Sequence, residues 1–197
     1  MVRLLILANV VAFVAELFAG DALIRVFALW PLDGSGGDVG AVFMPWQPLT
    51  YAFLHANGAH LALNMLGLYM FGRDIERTLG GRRAWLLYMA SILSAAFAQI
   101  ACTVLGILPA GPVIGASGGV FGLLLAYAVL FPNRTIVLLI PPIPMPAWLF
   151  ATLYAIIELT LGASGAQSNV AHFAHLGGMA GSGLLLWHWL HGAARES

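Results

Sequence analysis

Four residues of three types suggest acyl-transfer chemistry. Ser117 stands in Gly115-Ala116-Ser117-Gly118, directly before an apolar run, and His175 stands in Ala174-His175-Leu176-Gly177-Gly178. A serine hydroxyl is a weak nucleophile until a base within hydrogen-bond reach takes its proton. A helix start adds unpaired backbone N–H groups that point at any anion forming beside it. His60 and Asn64 are four apart, so both side chains share one helix face. Each offers a donor to a developing oxyanion, where one donor is worth about 3–4 kcal/mol in a soluble protease. Each feature alone also has an ordinary reading, since glycine and serine are common at membrane helix starts and Asn and His hydrogen-bond between membrane helices. The competing chemistry is zinc, from His55, His60, His172 and His175. The HExxH pattern of a helical metalloprotease is missing and no carboxylate neighbours these histidines in sequence, so no catalytic metal is expected.

The elements that hold these residues follow from composition. Of 197 residues, 61% are hydrophobic and 8% charged, against about 45–50% and about 25% in soluble domains. Such a chain is neither a soluble globule nor disordered. With 8 basic and 8 acidic residues it has no net positive field for nucleic acid, and its expected surroundings are a lipid bilayer. A spanning helix needs about 20 apolar residues. Long apolar runs broken by charge or by Pro/Gly clusters place six spans at 4–19, 60–79, 85–108, 117–131, 145–161 and 170–190, in one domain covering 1–197. Arg3 before an apolar stretch resembles a secretory signal, but Glu16 interrupts the run and five spans follow, which favours an uncleaved first helix. Cys102, the single cysteine, lies in an apolar run and is expected to be a small buried hydrophobe.

All basic residues are arginine, and their positions orient the chain through the positive-inside bias. Arg3, Arg73, Arg77, Arg82, Arg83, Arg134 and Arg195 fall on one side, which is then cytoplasmic and carries both termini. Arg25, with Asp21, Asp33 and Asp38, falls in the long first loop on the other side. This orientation puts Asn133-Arg134-Thr135, spaced like a glycosylation acceptor, on the cytoplasmic side, where it is discounted. The loop, with apolar pieces at 22–31 and 42–54 including Trp30 and Trp46, is expected to lie partly embedded in the interface. The run Pro141-Pro142-Ile143-Pro144-Met145-Pro146 is too rich in proline for a helix and reads as a stiff link.

At about 1.5 Å per residue, His60, Asn64, Ser117, Glu158 and His175 all fall in the outer third of the membrane, from four different helices. Polar groups at that depth are costly and mark function. Gly118 and Gly122, and Gly178 and Ser182, are each four apart, the small-residue spacing that lets two membrane helices approach closely enough for a serine-histidine hydrogen bond. His172, three residues before His175, reads as a wet rim residue, and Glu158 as a protonated group hydrogen-bonded to a neighbouring helix, with an influence on His175 or on water entry as the alternative. His188 and His191 lie at the cytoplasmic end of the sixth span and need no function. The inner halves of the spans are almost wholly apolar, which argues against a transporter or channel path.

These residues carry a resemblance. His55-Ala56-Asn57-Gly58-Ala59-His60 running into Asn64, the Gly72-Arg73-Asp74-Ile75-Glu76-Arg77 turn, Gly115-Ala116-Ser117-Gly118, and Ala174-His175 with Gly178 together resemble the rhomboid intramembrane serine proteases of the bacterial six-span type. The resemblance implies an all-α polytopic membrane protein, a six-helix bundle with a partly embedded first loop. It implies a Ser117/His175 dyad without an acidic third member and an oxyanion site from His60, Asn64 and the Ser117 N–H. It also implies supporting roles for Gly115, Gly118, Phe121 and Gly178, and no cofactor. The implied partners are transmembrane segments of single-pass membrane proteins, cut near the outer side of the bilayer, which for a bacterial source is the outer face of the cytoplasmic membrane. Trp148, Phe150 and Tyr154 are candidates for lining a gate on the fifth span.

Three positions depart from the best-known pattern of that family. Trp46-Gln47 stands where Trp-Arg is frequent, weakening anchorage of the loop to lipid phosphate. Phe121 stands where a tyrosine often stacks on the catalytic histidine, and Ser182 where a second glycine is frequent. None removes a reacting group. The alternative function is an inactive relative that binds membrane helices without cutting, which the retained Ser117 and His175 disfavour. The acidic Asp74 and Glu76 are expected to pair with Arg73 and Arg77 as a loop-organising network.

Overall fold

The structure is a computed structural model that describes residues 1–34, 40–137, 141–165 and 170–193. Asp38 and Arg195, which enter the sequence reading, lie outside the described residues. The chain folds as α1 (Val2–Phe27), α2 (Gln47–Thr50), a 3-10 turn (Tyr51–Phe53), α3 (Gly58–Gly67), a π turn (Leu68–Gly72), α4 (Arg73–Leu79), α5 (Gly81–Val104), α6 (Ser117–Leu130), β1 (Thr135–Val137), β2 (Pro144–Pro146), α7 (Ala147–Ser164) and α8 (His172–Ala193). Among these, α1, α5 and α7 are long and apolar enough to cross a membrane, and α6 is a shorter apolar helix. The architecture is an all-α bundle in which α5, α6 and α8 pack most closely together.

Glycines make that inner trio possible. A Cβ on Gly178 would lie 2.0 Å from the Gly118 carbonyl oxygen, and one on Gly122 would lie 1.9 Å from Ser91 Oγ. The backbones of α6 and α8 therefore touch, and α5 closes against both. Ser182 is fully buried in the same seam. By contrast α1 and α7 turn apolar side chains outward, among them Leu7, Phe18, Trp148 and Ile156. An apolar outer face of that extent suits lipid rather than water.

The first helix runs on past Ala19, where the 4–19 span was expected to end, and continues to Phe27 with a kink at Ala19 (φ −142, ψ 33). The reason is tertiary. Its last carbonyls are satisfied by α2 and the residue before it: Trp46 Nε1 and Gln47 Nε2 donate to the Val26 oxygen, and Thr50 Oγ1 donates to that of Phe27. Gln47, fully buried, also donates to the Val42 oxygen and accepts the Trp30 N–H. The residue that seemed to weaken the loop thus ties it to the end of α1. An antiparallel bridge between Leu29 and Val113 and a small cluster of Ala28, Trp30, Ala41 and Leu54 complete the loop.

The proline-rich link is not helical, and its end forms a strand: β2 pairs antiparallel with β1, with Ile136 opposite Met145. Prolines lack the N–H of a helix but fit a short edge strand. At this end of the bundle Asp74 pairs with both Arg77 and Arg134. Glu76 accepts from the Met1 amine and the Val2 N–H. Arg73 departs from the expected network, donating instead to the Tyr69 hydroxyl. Cys102 is free and half-exposed rather than buried.

Candidate active site

Each site residue is placed by a local device. Asn57 caps α3, its side chain accepting the His60 N–H at 2.9 Å, which fixes where the first turn begins. His60 therefore lies in the first turn and Asn64 one turn deeper, where it is buried. Gly115 has φ +125, a conformation that favours glycine. Its N–H donates to the Tyr51 carbonyl, and a Cβ there would lie 2.8 Å from His60 Nε2. The loop is thereby laid against His60 immediately before Ser117 opens α6. Gly118 plays a similar part on the other side, since a Cβ would lie 2.5 Å from that of Ala95.

With α6 and α8 in backbone contact, Ser117 Oγ lies 2.7 Å from His175 Nε2. The hydroxyl donates to the imidazole, the arrangement that lets the base take the proton as the oxygen attacks. The ring of Phe121 lies on that of His175, with centroids 4.3 Å apart and planes 5° from parallel. Asn64 Nδ2 has no hydrogen-bond partner among the described residues, and it shares a cavity of about 1020 Å³ with His60, Ser117, Phe121, Tyr154 and His175. The cavity runs between α3, α6 and α7, with 108–114 at one end. Phe150 and Tyr154 line it, stacked on each other at 4.7 Å, whereas Trp148 is on another face of α7, lining a second, smaller cavity. Of the three proposed gate aromatics, two therefore reach the site.

Two positions differ from expectation. His172 is buried, not at a wet rim, and donates from Nδ1 to Glu158 Oε2 at 2.7 Å. The same oxygen accepts from His175 Nδ1 at 2.9 Å, so an acidic side chain does stand behind the histidine where the resemblance implied none. Glu158 is hydrogen-bonded to a neighbouring helix, and its partners include His175, the candidate base, so both readings of Glu158 meet in one contact. Gln99 of α5 was not singled out in sequence; it also lines the cavity, with Oε1 unpartnered among the described residues. Its signal was a long polar side chain in the apolar stretch 95–101 of α5.

The histidines do not assemble as one zinc set. His55 pairs edge-to-face with His60 at 5.0 Å, while His172 and His175 converge on Glu158. Zinc bound by Glu158, His172 and His175 would hold its ligand atoms about 3.3 Å apart in tetrahedral geometry. Separations of 2.7 and 2.9 Å are those of shared protons.

Comparison with known proteins identifies the family. The family model of the Rhomboid domain matches residues 42–192. Over 138 residues, 70% of this chain and 40% of the relative, the sequence is 34% identical to Rhomboid protein 1, mitochondrial, of Saccharomyces cerevisiae. It is 33% identical to Rhomboid protease GluP of Bacillus subtilis, covering 69% of this chain and 24% of the relative. To Rhomboid protease GlpG of Salmonella typhi it is 27% identical, over 66% and 43%. The chain thus spans less than half the length of these relatives.

Proposed function

The chain belongs to the rhomboid family and is an integral membrane protein, and from that premise we propose that it is an intramembrane serine endopeptidase. The observation that carries the reading is the 2.7 Å contact between Ser117 Oγ and His175 Nε2. Ser117 attacks the scissile carbonyl as His175 takes its proton. The oxyanion is received by the Ser117 N–H, His60 and Asn64, whose unpartnered Nδ2 is free for that purpose. The protonated His175 then gives its proton to the leaving amine, and water repeats the cycle on the acyl-enzyme.

The substrates are transmembrane segments of other membrane proteins. A carbonyl inside an intact helix is hydrogen-bonded and shielded, so the segment must unwind where the cavity between α3 and α7 receives it. The six expected spans, carried by α1, by α3 with α4, and by α5, α6, α7 and α8, cross the bilayer with both termini on the arginine-rich side, the cytoplasmic face of a bacterial inner membrane, and the site opens towards the other.

The test is labelling of the detergent-purified protein with a fluorophosphonate probe. Labelling in wild type that is lost in Ser117→Ala and in His175→Ala is expected. Full labelling of Ser117→Ala would overturn the mechanism, and no labelling of folded wild type beside a positive-control serine protease would leave helix binding without cleavage.

A further inference from the structure

Glu158 has no part in a serine-histidine dyad, yet it is an ionisable group in the body of α7, costly there unless engaged. It is engaged twice, by His172 and by His175, from successive turns of α8. All three residues are more than nine-tenths buried, at 7%, 5% and 8% exposure.

A carboxylate only accepts hydrogen bonds. With Glu158 ionised, both imidazoles carry their proton on Nδ1. For His175 this leaves Nε2 as the lone-pair nitrogen, and Nε2 is the atom that faces Ser117. A neutral imidazole with nothing at Nδ1 divides itself between two tautomers, of which only one is a base towards Ser117. His172 has a matching part. Its Nδ1 holds the same oxygen from one turn earlier, so the carboxylate is fixed from two points and cannot swing away from His175.

The geometry points to Glu158 as the positioning residue of this site: clamped by His172, its carboxylate fixes His175 in the Nδ1–H form and stabilises the imidazolium formed when Ser117 loses its proton. The inference rests on Ser117 being the nucleophile. In the step it supports, the Ser117 oxygen bonds to the substrate carbonyl carbon, the hydroxyl proton moves to His175 Nε2, and the carbonyl electron pair goes to the oxyanion. Glu158 stays ionised throughout and exchanges no proton.

Two measurements test it on the full chain in detergent. The first needs no substitution at Glu158: nitrogen-15 NMR of histidine-labelled protein, assigned by loss of signal in His175→Gln. A protonated Nδ1 and bare Nε2 on His175 are expected, and the reverse tautomer would overturn the inference. The second compares fluorophosphonate labelling rates of wild type, Glu158→Gln and Glu158→Asp, with cooperative thermal unfolding as the check on folding. Glu158→Gln is expected to label about 100-fold more slowly, and Glu158→Asp to recover part of the rate by restoring the charge. Folded Glu158→Gln labelling at the wild-type rate would overturn this inference alone. Wild-type labelling that ignores Ser117 would instead overturn the proposed function.

Discussion

The imidazole of His175 lies flat on the ring of Phe121, 4.3 Å away and 5° from parallel. Phe121 is held in turn by Tyr154 of α7, with ring centroids 6.0 Å apart. The base is thus bounded on one face by α6 and at Nδ1 by α7, leaving Nε2 to Ser117.

A stacked aromatic pair contributes about 0.5–1.5 kcal/mol beyond its buried area. Phe121→Leu is therefore expected to slow Ser117-dependent labelling about 2- to 10-fold. Phe121→Tyr keeps the ring and should label at least as fast as wild type. Equal rates for the leucine and wild-type forms would mean that the stack does not position the base.

Asn64 presents a buried donor with no partner among the described residues, which is an unfavourable arrangement for stability and a useful one for an oxyanion. Asn64→Ala should lower the turnover of a transmembrane substrate by about 100-fold. Its thermal unfolding temperature should stay level or rise, because nothing paired is lost. A large drop in stability would mean that Asn64 is a helix-helix bond rather than a reserved donor.

Gly178→Ala should be poorly tolerated, since the new Cβ would meet the Gly118 carbonyl oxygen at 2.0 Å and backbone cannot yield as a side-chain tip can. Overpacking of this kind costs about 1–3 kcal/mol or more. Gly20→Ala, with nothing within 4 Å, serves as the control and should unfold at the wild-type temperature. Thermal melts in detergent that do not separate the two would contradict the close seam between α6 and α8.

His55 lies in the segment before α3, where burial, with His60 beside it, pushes its imidazole down to about 4 from 6.5. Between those values the unfolded chain binds a proton that the folded chain excludes. Its contribution to stability is complete above pH 6.5 and is lost as pH falls towards 4. Acidifying from pH 7.5 to pH 5 should therefore lower the unfolding temperature of wild type more than that of His55→Gln. Equal drops would show that His55 is not held neutral.

What the sequence determined by itself was the class of protein and the set of residues proposed to do its chemistry. Composition placed the chain in a bilayer, and counting residues along each apolar run put Ser117, His175, His60, Asn64 and Glu158 at one level. That works because depth follows from a fixed rise per residue. Rotation about each helix axis has no such rule. It is set by which surfaces pack, here by Gly178 against Gly118 and Gly122 against Ser91. Only the tertiary structure could therefore turn Glu158 towards Nδ1 of both histidines, bring His172 in from the rim, lay Phe121 on His175 and send Trp148 away from the cavity. The same limit explains the end of α1, whose last carbonyls are satisfied by Trp46, Gln47 and Thr50 far along the chain. A local reading sees the residues that end a helix, but not the distant ones that extend it.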